Sequence, residues 1–478
     1  GVLVSANCPT IPSPNPTELH QQRFDLNAAL LRSQYGATVD HDVNLDDIRA
    51  ARHVIAEVAK HTPVISSLTL SSGIGGNVVL KAENLQRTGA FKIRGATNKV
   101  ASLGTAASQG VTTGSAGNHA QALAFAARHF GVPCEIFVPV GAAIGKIDAC
   151  RALGATVVEH GAALAEAVAE AKERARATGM TFCAPFDDPA VVAGQGTLGL
   201  ELVEDIDDLA VVVVPLGGGG LISGTAIAVK SLRPDVRVIG VQASVCAPYA
   251  GGSPADGPVV TLADGIAVKY PGELTGPLVE RWVDEIVTVD EDSIADAMVL
   301  LMDRAKLYVE GAGAVGVSAL LSGAVTPSTE GSTCIVLSGG NVDLGVVPSL
   351  IRRHENSAGR RLSVVARIDD QPGSLAHLLA VFADGGADLI EVQHVREGLE
   401  LHVRETGIPA TFAVRSGGNV CISLYCSPEI PGARPISPAA ASKYHISTSA
   451  KSIAVGCTAA LSLSLPSGSG SQLKIGRA

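Results

Sequence analysis

The stretch that decides the fold reads Glu83-Asn84-Leu85-Gln86-Arg87-Thr88-Gly89-Ala90-Phe91-Lys92-Ile93-Arg94-Gly95-Ala96. It places one lysine, Lys92, between an aromatic ring and a glycine-flanked turn. A lysine amine becomes nucleophilic when burial or a neighbouring cation disfavours its charged form. Phe91 offers the apolar surface and Arg94 the cation. An isolated lysine of this kind is more often a solvated residue at a helix start, so its interpretation depends on the rest of the chain.

The composition is that of a large globular protein with closely packed layers. The 478 residues are 46% hydrophobic and 17% charged, and they include 53 glycines. Such a length predicts about three domains. Abundant small residues and glycine-rich turns are typical of α/β layers.

Charge and cysteine usage exclude several classes of function. The net charge of -10 argues against a nucleic-acid partner, because neutralising phosphates requires clustered Lys and Arg. Nine cysteines without CxxC spacing indicate buried thiols in a reducing compartment. The first residues lack a basic segment followed by an apolar run. The uncharged span 209–229 is interrupted by Pro215 and four glycines, which disfavours a membrane helix. We therefore predict a cytoplasmic protein without a membrane segment.

The order of the predicted elements indicates an α/β fold. Residues 1–45 are polar, bear prolines and lack a period, so we expect a flexible arm there. From residue 111 onwards, short apolar strands alternate with helices, and the alternation repeats after residue 190. This predicts two three-layer α/β subdomains with parallel sheets covered on both faces, and a ligand cleft between them. We assign the main domain to 46–355 and its smaller subdomain to about 97–188.

A run of four glycines follows a predicted buried strand and precedes a predicted helix. It consists of Gly217, Gly218, Gly219 and Gly220. Backbone N–H groups at a helix start hold phosphate well, and glycine allows a close approach. A plain tight turn is the alternative. The run lacks the lysine of a P-loop, the GxGxxG spacing and the acidic residue of a nicotinamide site, so a single phosphate suits it better than a dinucleotide.

Two more loops stand at the ends of predicted strands. The first consists of Ser115, Ala116, Gly117, Asn118 and His119. Its small side chains and helix-start N–H groups suit a carboxylate, although an ordinary helix cap explains them equally well. Ser338 opens the second loop, Ser-Gly-Gly-Asn, where a hydroxyl could bond a ligand ring and a simple turn is the alternative.

Together these stretches resemble the pyridoxal-phosphate enzymes of the tryptophan-synthase-β fold, over roughly residues 46 to 350. The motifs are Ala-Phe-Lys-Ile-Arg-Gly-Ala around Lys92, Ser-Ala-Gly-Asn-His, Gly-Gly-Gly-Gly-Leu and Ser-Gly-Gly-Asn. Phe186-Asp187-Asp188-Pro189 and Gly194-Gln195-Gly196-Thr197 narrow the resemblance to the threonine dehydratases (threonine ammonia-lyases), with serine racemase as a near relative.

The resemblance implies pyridoxal 5'-phosphate as the cofactor and a role for each motif. Lys92 would form the Schiff base, and Phe91 would pack beside it. Asn118 would bond the ring oxygen, and Ser338 would face the pyridine nitrogen. Glu310 matches an acidic position of the family near the cofactor.

The remaining motifs would bind the anionic groups. Gly217 to Gly220, with Leu221, would hold the phosphate, and Ser115 to His119 would hold the substrate carboxylate. The implied reaction converts L-threonine to 2-oxobutanoate and ammonia, and L-serine to pyruvate. Ala116 replaces the second serine of the racemases, which favours dehydration. The segment 242–248 offers no carboxylate where some members bind a divalent cation, so we predict no metal.

Other functions remain open. A serine or aspartate racemase and a 3-hydroxyaspartate dehydratase share the fold. A catalytically silent amino-acid sensor is a further alternative, although such a protein has no reason to keep Lys92.

The C-terminal part resembles the first half of an ACT domain, a small α+β regulatory module, over residues 360–417. Its predicted elements are a strand at Arg360–Ile368, an Asp-x-Pro-Gly turn, a helix through Phe382, and strands at Ala387–Val395 and Glu400–Arg404. The resemblance implies an amino-acid effector such as isoleucine or valine, with a purely structural dimerisation module as the alternative. Residues 418–478 are rich in Ser, Pro, Ala and Gly, so we expect a disordered tail and an incomplete module. We expect a homo-oligomer, either a dimer or a tetramer.

Overall fold

The structure, a computed structural model, describes residues 43–251, 257, 259–396, 404–414, 460–464 and 472–476. It divides into two compact units, one within residues 1–343 and one within 344–478. The predicted flexible arm therefore lies outside the described residues up to position 42.

A six-stranded sheet forms the centre of the first unit, in the order β1-β2-β10-β7-β8-β9. Its strands are β1 (Val64–Ser66), β2 (Asn77–Lys81), β7 (Leu209–Pro215), β8 (Arg237–Ala243), β9 (Glu285–Val289) and β10 (Ser332–Val336). The edge strand β1 pairs antiparallel with β2, and the other neighbours pair parallel.

A four-stranded parallel sheet lies in the same unit, in the order β5-β4-β3-β6. Its strands are β3 (Val111–Gly114), β4 (Cys134–Val138), β5 (Thr156–Glu159) and β6 (Thr181–Phe182). The predicted smaller subdomain contains this sheet.

Helices follow most strands of the first unit. They are α1 (Leu45–Ile55), α2 (Leu68–Ile74), α3 (Lys92–Ser102), α4 (Asn118–Phe130), α5 (Ile144–Ala152), α6 (Leu164–Thr178), α7 (Pro189–Asp205), α8 (Gly220–Leu232), α9 (Thr275–Trp282), α10 (Glu291–Leu300) and α11 (Gly311–Leu321). In the part of the chain that the structure describes, no helix combines the length and apolar character needed to cross a bilayer.

Alternating side chains make each sheet the middle of three layers. Val212 and Val214 share a buried cluster with residues of α7 and α8, whereas Val213 lies on the side where α11 brings Gly316 close to the sheet. In the smaller sheet, Ile136 packs with α3 and α4, and Phe137 packs with α6 on the opposite face. Two three-layer α/β arrangements with parallel sheets confirm the predicted fold class.

The second unit is a small α+β structure. It contains α12 (Val347–Ser357), β11 (Arg361–Asp369), α13 (Ser374–Asp384), β12 (Ala387–Val392), β13 (Glu405–Val414), β14 (Ala460–Ser464) and β15 (Gln472–Gly476). The sheet order is β12-β13-β11-β14-β15. Phe382 of α13 stacks on Phe412 of β13, with ring centroids 4.2 Å apart, in the core of this unit.

The strand predicted at Glu400–Arg404 lies outside the described residues except for Arg404. The structure has a strand directly after it, at Glu405–Val414, which pairs antiparallel with β11. Strands β14 and β15 lie in the stretch for which the sequence predicts a disordered tail; β14 pairs with β11, and β15 pairs with β14. Each contains a short alternation of apolar and polar residues, Leu-Ser-Leu-Ser and Gln-Leu-Lys-Ile, which is too brief to stand out in a tail rich in Ser, Pro, Ala and Gly. The rest of that tail lies outside the described residues.

Glycines bring α7 and α8 into backbone contact. A Cβ atom on Gly224 of α8 would lie 2.3 Å from the carbonyl oxygen of Val192 and 2.6 Å from the amide nitrogen of Gly196. Both obstacles are main-chain atoms of α7, so no side chain can move aside to make room.

We expect Gly224→Ala to destabilise the protein by about 2–3 kcal/mol, because it overpacks a rigid contact. The matched control is Gly73→Ala in α2, where a Cβ atom would meet nothing within 4 Å. That substitution should be neutral or stabilising by about 0.5–1 kcal/mol, since alanine favours a helix over glycine. Urea unfolding followed by circular dichroism gives both values, and equal effects of the two substitutions would refute the proposed contact.

Candidate active site

Four helix starts converge at one place in the first unit. Lys92 is the first residue of α3, Asn118 the first of α4, and Gly220 the first of α8. Glu310 immediately precedes α11. Since helix N-termini carry unpaired N–H groups and a partial positive charge, this place attracts anions and disfavours a protonated lysine.

The predicted ring-binding residues share one hydrogen-bonded frame. The amide nitrogen of Phe91 donates to the carbonyl oxygen of Ser338 at 3.0 Å, and that of Glu310 donates to Gly339 at 3.0 Å. Ser338 is 3% exposed and follows β10. The loop after β10 therefore holds together the lysine stretch and the acidic residue, although the two are far apart in the sequence.

Lys92 has the environment of a reactive amine. Its Nζ donates a hydrogen bond of 2.7 Å to the carbonyl oxygen of Pro185 and lies 5.0 Å from the ring centroid of Phe91. Burial lowers the pKa of Lys92 from 10.5 to about 8, while the Glu310 carboxylate acts in the opposite direction. At pH 7 roughly a tenth of the amine is therefore neutral, far more than for an ordinary lysine.

Asn118 and Glu310 form a buried polar pair. Nδ2 of Asn118 donates to Oε1 of Glu310 at 2.6 Å. Burial and then the Asp264 carboxylate raise the pKa of Glu310 to about 7, against the effect of the Asn118 hydrogen bond. Lys146 forms an ion pair of 3.2 Å with Asp264. The carboxyl group of Glu310 can thus exchange a proton at neutral pH.

The glycine loop carries no side chains, because neighbouring residues leave no room for a Cβ atom at its positions. A Cβ atom on Gly218 would lie 2.3 Å from the ring of Phe186, and Gly219 has a left-handed φ of 93°. Oγ1 of Thr275 donates to the carbonyl oxygen of Gly218 at 2.6 Å. Leu221 is 5% exposed in the apolar core, so only its main chain can contribute to a ligand site.

Phe186 connects the glycine loop to the lysine. Its ring lies against Gly218, and the carbonyl oxygen of the preceding Pro185 accepts the hydrogen bond from Lys92. The amine and the candidate phosphate site therefore both contact one short segment, Pro185–Phe186.

The loop from Ser115 to His119 combines an open backbone position with a buried ring. A Cβ atom on Gly117 would meet nothing within 4 Å, so the backbone there faces open space. Oγ of Ser115 accepts from the Gly117 amide at 3.3 Å, and Ala116 packs against the small-sheet core. His119 is turned into the interior, where its Nε2 lies 3.1 Å from the carbonyl oxygen of Cys183. Burial, assisted by Lys92, lowers the pKa of His119 to about 3, so the ring is neutral.

Arg94 does not act on Lys92 as the sequence suggests. Its guanidinium is 1% exposed and pairs with Glu83 at 2.8 Å and with Glu201 at 2.6 Å. Burial acts to lower the pKa of Arg94, but the two carboxylates together raise it above its usual value. Glu201 also pairs with Lys81 at 2.7 Å. Arg94 is thus neutralised, and burial instead of a neighbouring cation lowers the lysine pKa.

Several residues that contact the candidate site residues are not indicated by local sequence patterns. Phe186 and Thr275 support the glycine loop, Glu83 and Glu201 hold the lysine helix, and Asn341 contacts Asn118. The sequence does carry a signal for Phe186 and Asn341, since they stand in the Phe-Asp-Asp-Pro and Ser-Gly-Gly-Asn motifs. Within the residues that the structure describes, no three His, Cys, Asp or Glu side chains group as metal ligands.

We expect formaldehyde and cyanoborohydride to methylate the Lys92 amine at a rate that increases with pH, because only the neutral amine is nucleophilic. The rate should reach half of its maximum at a pH near 8. Peptide mass spectrometry gives the rate at each pH, with the exposed Lys60 as an internal comparison. In Glu310→Gln the midpoint should fall, since the carboxylate that favours the ammonium form is gone. A midpoint for Lys92 near the ordinary value of about 10.4 would contradict the assigned environment.

Comparison with known proteins agrees with this geometry. The family described as pyridoxal-phosphate dependent enzyme matches residues 55–339. An L-threonine ammonia-lyase of Thermotoga maritima is 44% identical over 367 residues, which are 76% of this chain and 91% of the relative. A crystal structure of threonine deaminase from T.th. has a TM-score of 0.59 and 38% identity, covering 63% of this chain and 99% of its own. Maize serine racemase has a TM-score of 0.61 and 34% identity, covering 66% and 99%. The chain belongs to the pyridoxal-phosphate dependent enzyme family.

Proposed function

We propose that this protein is a threonine ammonia-lyase, which converts L-threonine to 2-oxobutanoate and ammonia and L-serine to pyruvate. The observation that carries the proposal is a buried amine of low pKa, Lys92, beside a bare glycine loop at a helix start. The relatives named for threonine ammonia-lyase and threonine dehydratase support the substrate class.

The residues present fit pyridoxal phosphate. First-turn N–H groups of α8 and the side-chain-free loop from Gly217 to Gly220 suit its phosphate. Lys92 suits its aldehyde, and Asn118 suits its ring oxygen. Ser338 would offer a neutral hydroxyl to the ring nitrogen, and this favours elimination over transamination.

The chain's own groups would carry out the proton transfers. When bound, pyridoxal phosphate supplies an aldehyde that captures amines and a ring that accepts charge from the α-carbon. Lys92 would remove the α-proton of the substrate, a role that suits an amine with a pKa of about 8. The open backbone at Gly117 would bind the substrate carboxylate. Phe91 and Phe186 would limit the access of water to the amine.

We expect the purified protein to form 2-oxobutanoate from L-threonine, and Lys92→Ala to lower this rate by at least about 1000-fold through loss of the proton-transfer group. Lys230→Ala is the matched control, because it removes a lysine paired with Asp284 on the same unit. Keto-acid formation coupled to a dehydrogenase gives both rates.

Two outcomes would favour the alternatives. Formation of D-amino acid without keto acid would indicate a racemase. Full cofactor binding with no turnover of threonine, serine, aspartate or 3-hydroxyaspartate would indicate a silent sensor.

We further infer that the second unit is an ACT-like regulatory module in a cytoplasmic homo-oligomer. Its edge strand β12 leaves Leu389 46% exposed and Ile390 49% exposed, which suits contact with another copy. Buried free thiols such as Cys134 and Cys334 suit a reducing compartment.

If the module binds an effector, isoleucine or valine should change the apparent affinity for threonine by about 5–150-fold, the usual range of coupling between sites. Initial rates of the full chain against threonine concentration measure the shift, with glycine as the control addition. Unchanged curves with both amino acids would refute this regulation.

A further inference from the structure

The amide of Asn341 connects the loop before Lys92 to the polar pair of the site. Its Nδ2 donates to the carbonyl oxygen of Thr88 at 2.8 Å and to Oδ1 of Asn118 at 2.8 Å. Asn118 in turn donates from Nδ2 to Oε1 of Glu310 at 2.6 Å. These contacts form a continuous chain of hydrogen bonds from the backbone at Thr88 to a buried carboxyl group.

The direction of each bond follows from the first one. A backbone carbonyl can only accept, so Asn341 must present its NH₂ group to Thr88. The same NH₂ group faces Asn118, which must therefore present its oxygen. Nδ2 of Asn118 is then the end that faces Glu310, and it carries a second hydrogen that can be donated to a ligand.

The backbone of Thr88 is strained at the start of this chain. Thr88 has φ 59° and ψ 13°, a left-handed conformation that is rare for a β-branched residue. Its hydroxyl is buried without a hydrogen-bond partner among the described residues, so its own side chain does not stabilise the turn.

Contacts from the loop after β10 hold this turn. The amide nitrogen of Gly340 donates to the carbonyl oxygen of Gly89 at 2.8 Å. A Cβ atom on Gly89 would lie 2.5 Å from Oδ1 of Asn341. Strained conformations persist where the surrounding structure imposes them, and they concentrate at functional sites.

We propose that Asn341 is a positioning residue that determines which end of the Asn118 amide faces the bound cofactor. This rests on the proposed function, in which Asn118 bonds the ring oxygen of pyridoxal phosphate. A donor facing that oxygen stabilises negative charge on it, whereas a reversed amide would place two oxygens against each other.

Two substitutions at Asn341 distinguish positioning from packing. Asn341→Asp keeps the shape but presents only acceptors, so Asn118 should rotate its NH₂ group away from the site. Asn341→Ala removes the side chain and allows both orientations of Asn118. We expect the dissociation constant for pyridoxal phosphate to rise at least about tenfold for Asn341→Asp and about threefold for Asn341→Ala. A packing role predicts the opposite order, because alanine loses more contacts.

Titration of the ligand-free full chain with pyridoxal phosphate measures these constants. The pH dependence of the absorbance of the bound cofactor provides a second readout that should shift in the same order. Asn84→Asp is the matched control, since Asn84 donates to Tyr308 at 3.1 Å and lies beside Gly340 outside the chain of bonds. It adds the same charge near the same loop and should change the dissociation constant by less than about threefold.

Asn118→Ala separates failure of this proposal from failure of the proposed function. If it changes neither the dissociation constant nor the absorbance, the assumed binding mode is wrong. If it weakens binding while Asn341→Asp weakens binding no more than Asn341→Ala does, only the positioning role is wrong.

A double-mutant cycle completes the test. In the Asn118→Ala background, Asn341→Ala and Asn341→Asp should each have less than about a twofold further effect, because the group that they orient is absent. Fully additive effects would overturn the proposal. If thermal melting shows that Asn341→Asp does not fold, the comparison of Asn341→Ala with and without Asn118→Ala still tests the proposal.

Discussion

The two-sided ion pair of Arg94 holds the lysine helix in place, and the geometry of the site depends on it. One carboxylate, Glu83, precedes α3, and the other, Glu201, belongs to α7. Loss of either carboxylate would leave donors of the buried guanidinium without a hydrogen-bond partner, at a cost of about 1–3 kcal/mol. Because Lys92 lies only two residues before Arg94 on the same helix, the ion pairs of Arg94 also fix the position of Lys92.

The convergence of helix starts explains why one small region can attract anions and also favour the neutral form of a lysine amine. The partial positive charge at the starts of α3, α4 and α8 favours the phosphate and carboxylate that the proposed function requires. The same field disfavours the ammonium form of Lys92. Glu310 moderates this field, and burial raises the pKa of its own carboxyl group.

Local sequence patterns predicted the strands and loops that are determined by residues adjacent in the sequence. The run Leu209–Pro215 is apolar because both faces of β7 are covered, and the glycine loop follows it directly. The strands Val64–Ser66 and Thr181–Phe182 escaped prediction because they are too short to show a period. The ACT-like assignment remains a prediction.

Contacts between distant residues could not be predicted in this way. Arg94 stands two positions after Lys92 in the sequence, but residues two apart on a helix do not share a face. Its partner Glu201 is 107 residues away. Asn341 and Asn118 are 223 residues apart, and no period in either segment indicates that their amides meet.

The rigid backbone contact between α7 and α8 has a consequence for ligand size. Helix α8 carries the glycine loop, and α7 carries the carboxylate that anchors the lysine helix. Because Gly224 and Gly196 join these helices through main-chain atoms, the span from amine to anion site cannot stretch or shorten easily. The distance between the two groups is therefore fixed by the backbone. Cofactor analogues with a lengthened phosphate arm should fail to bind whatever their charge.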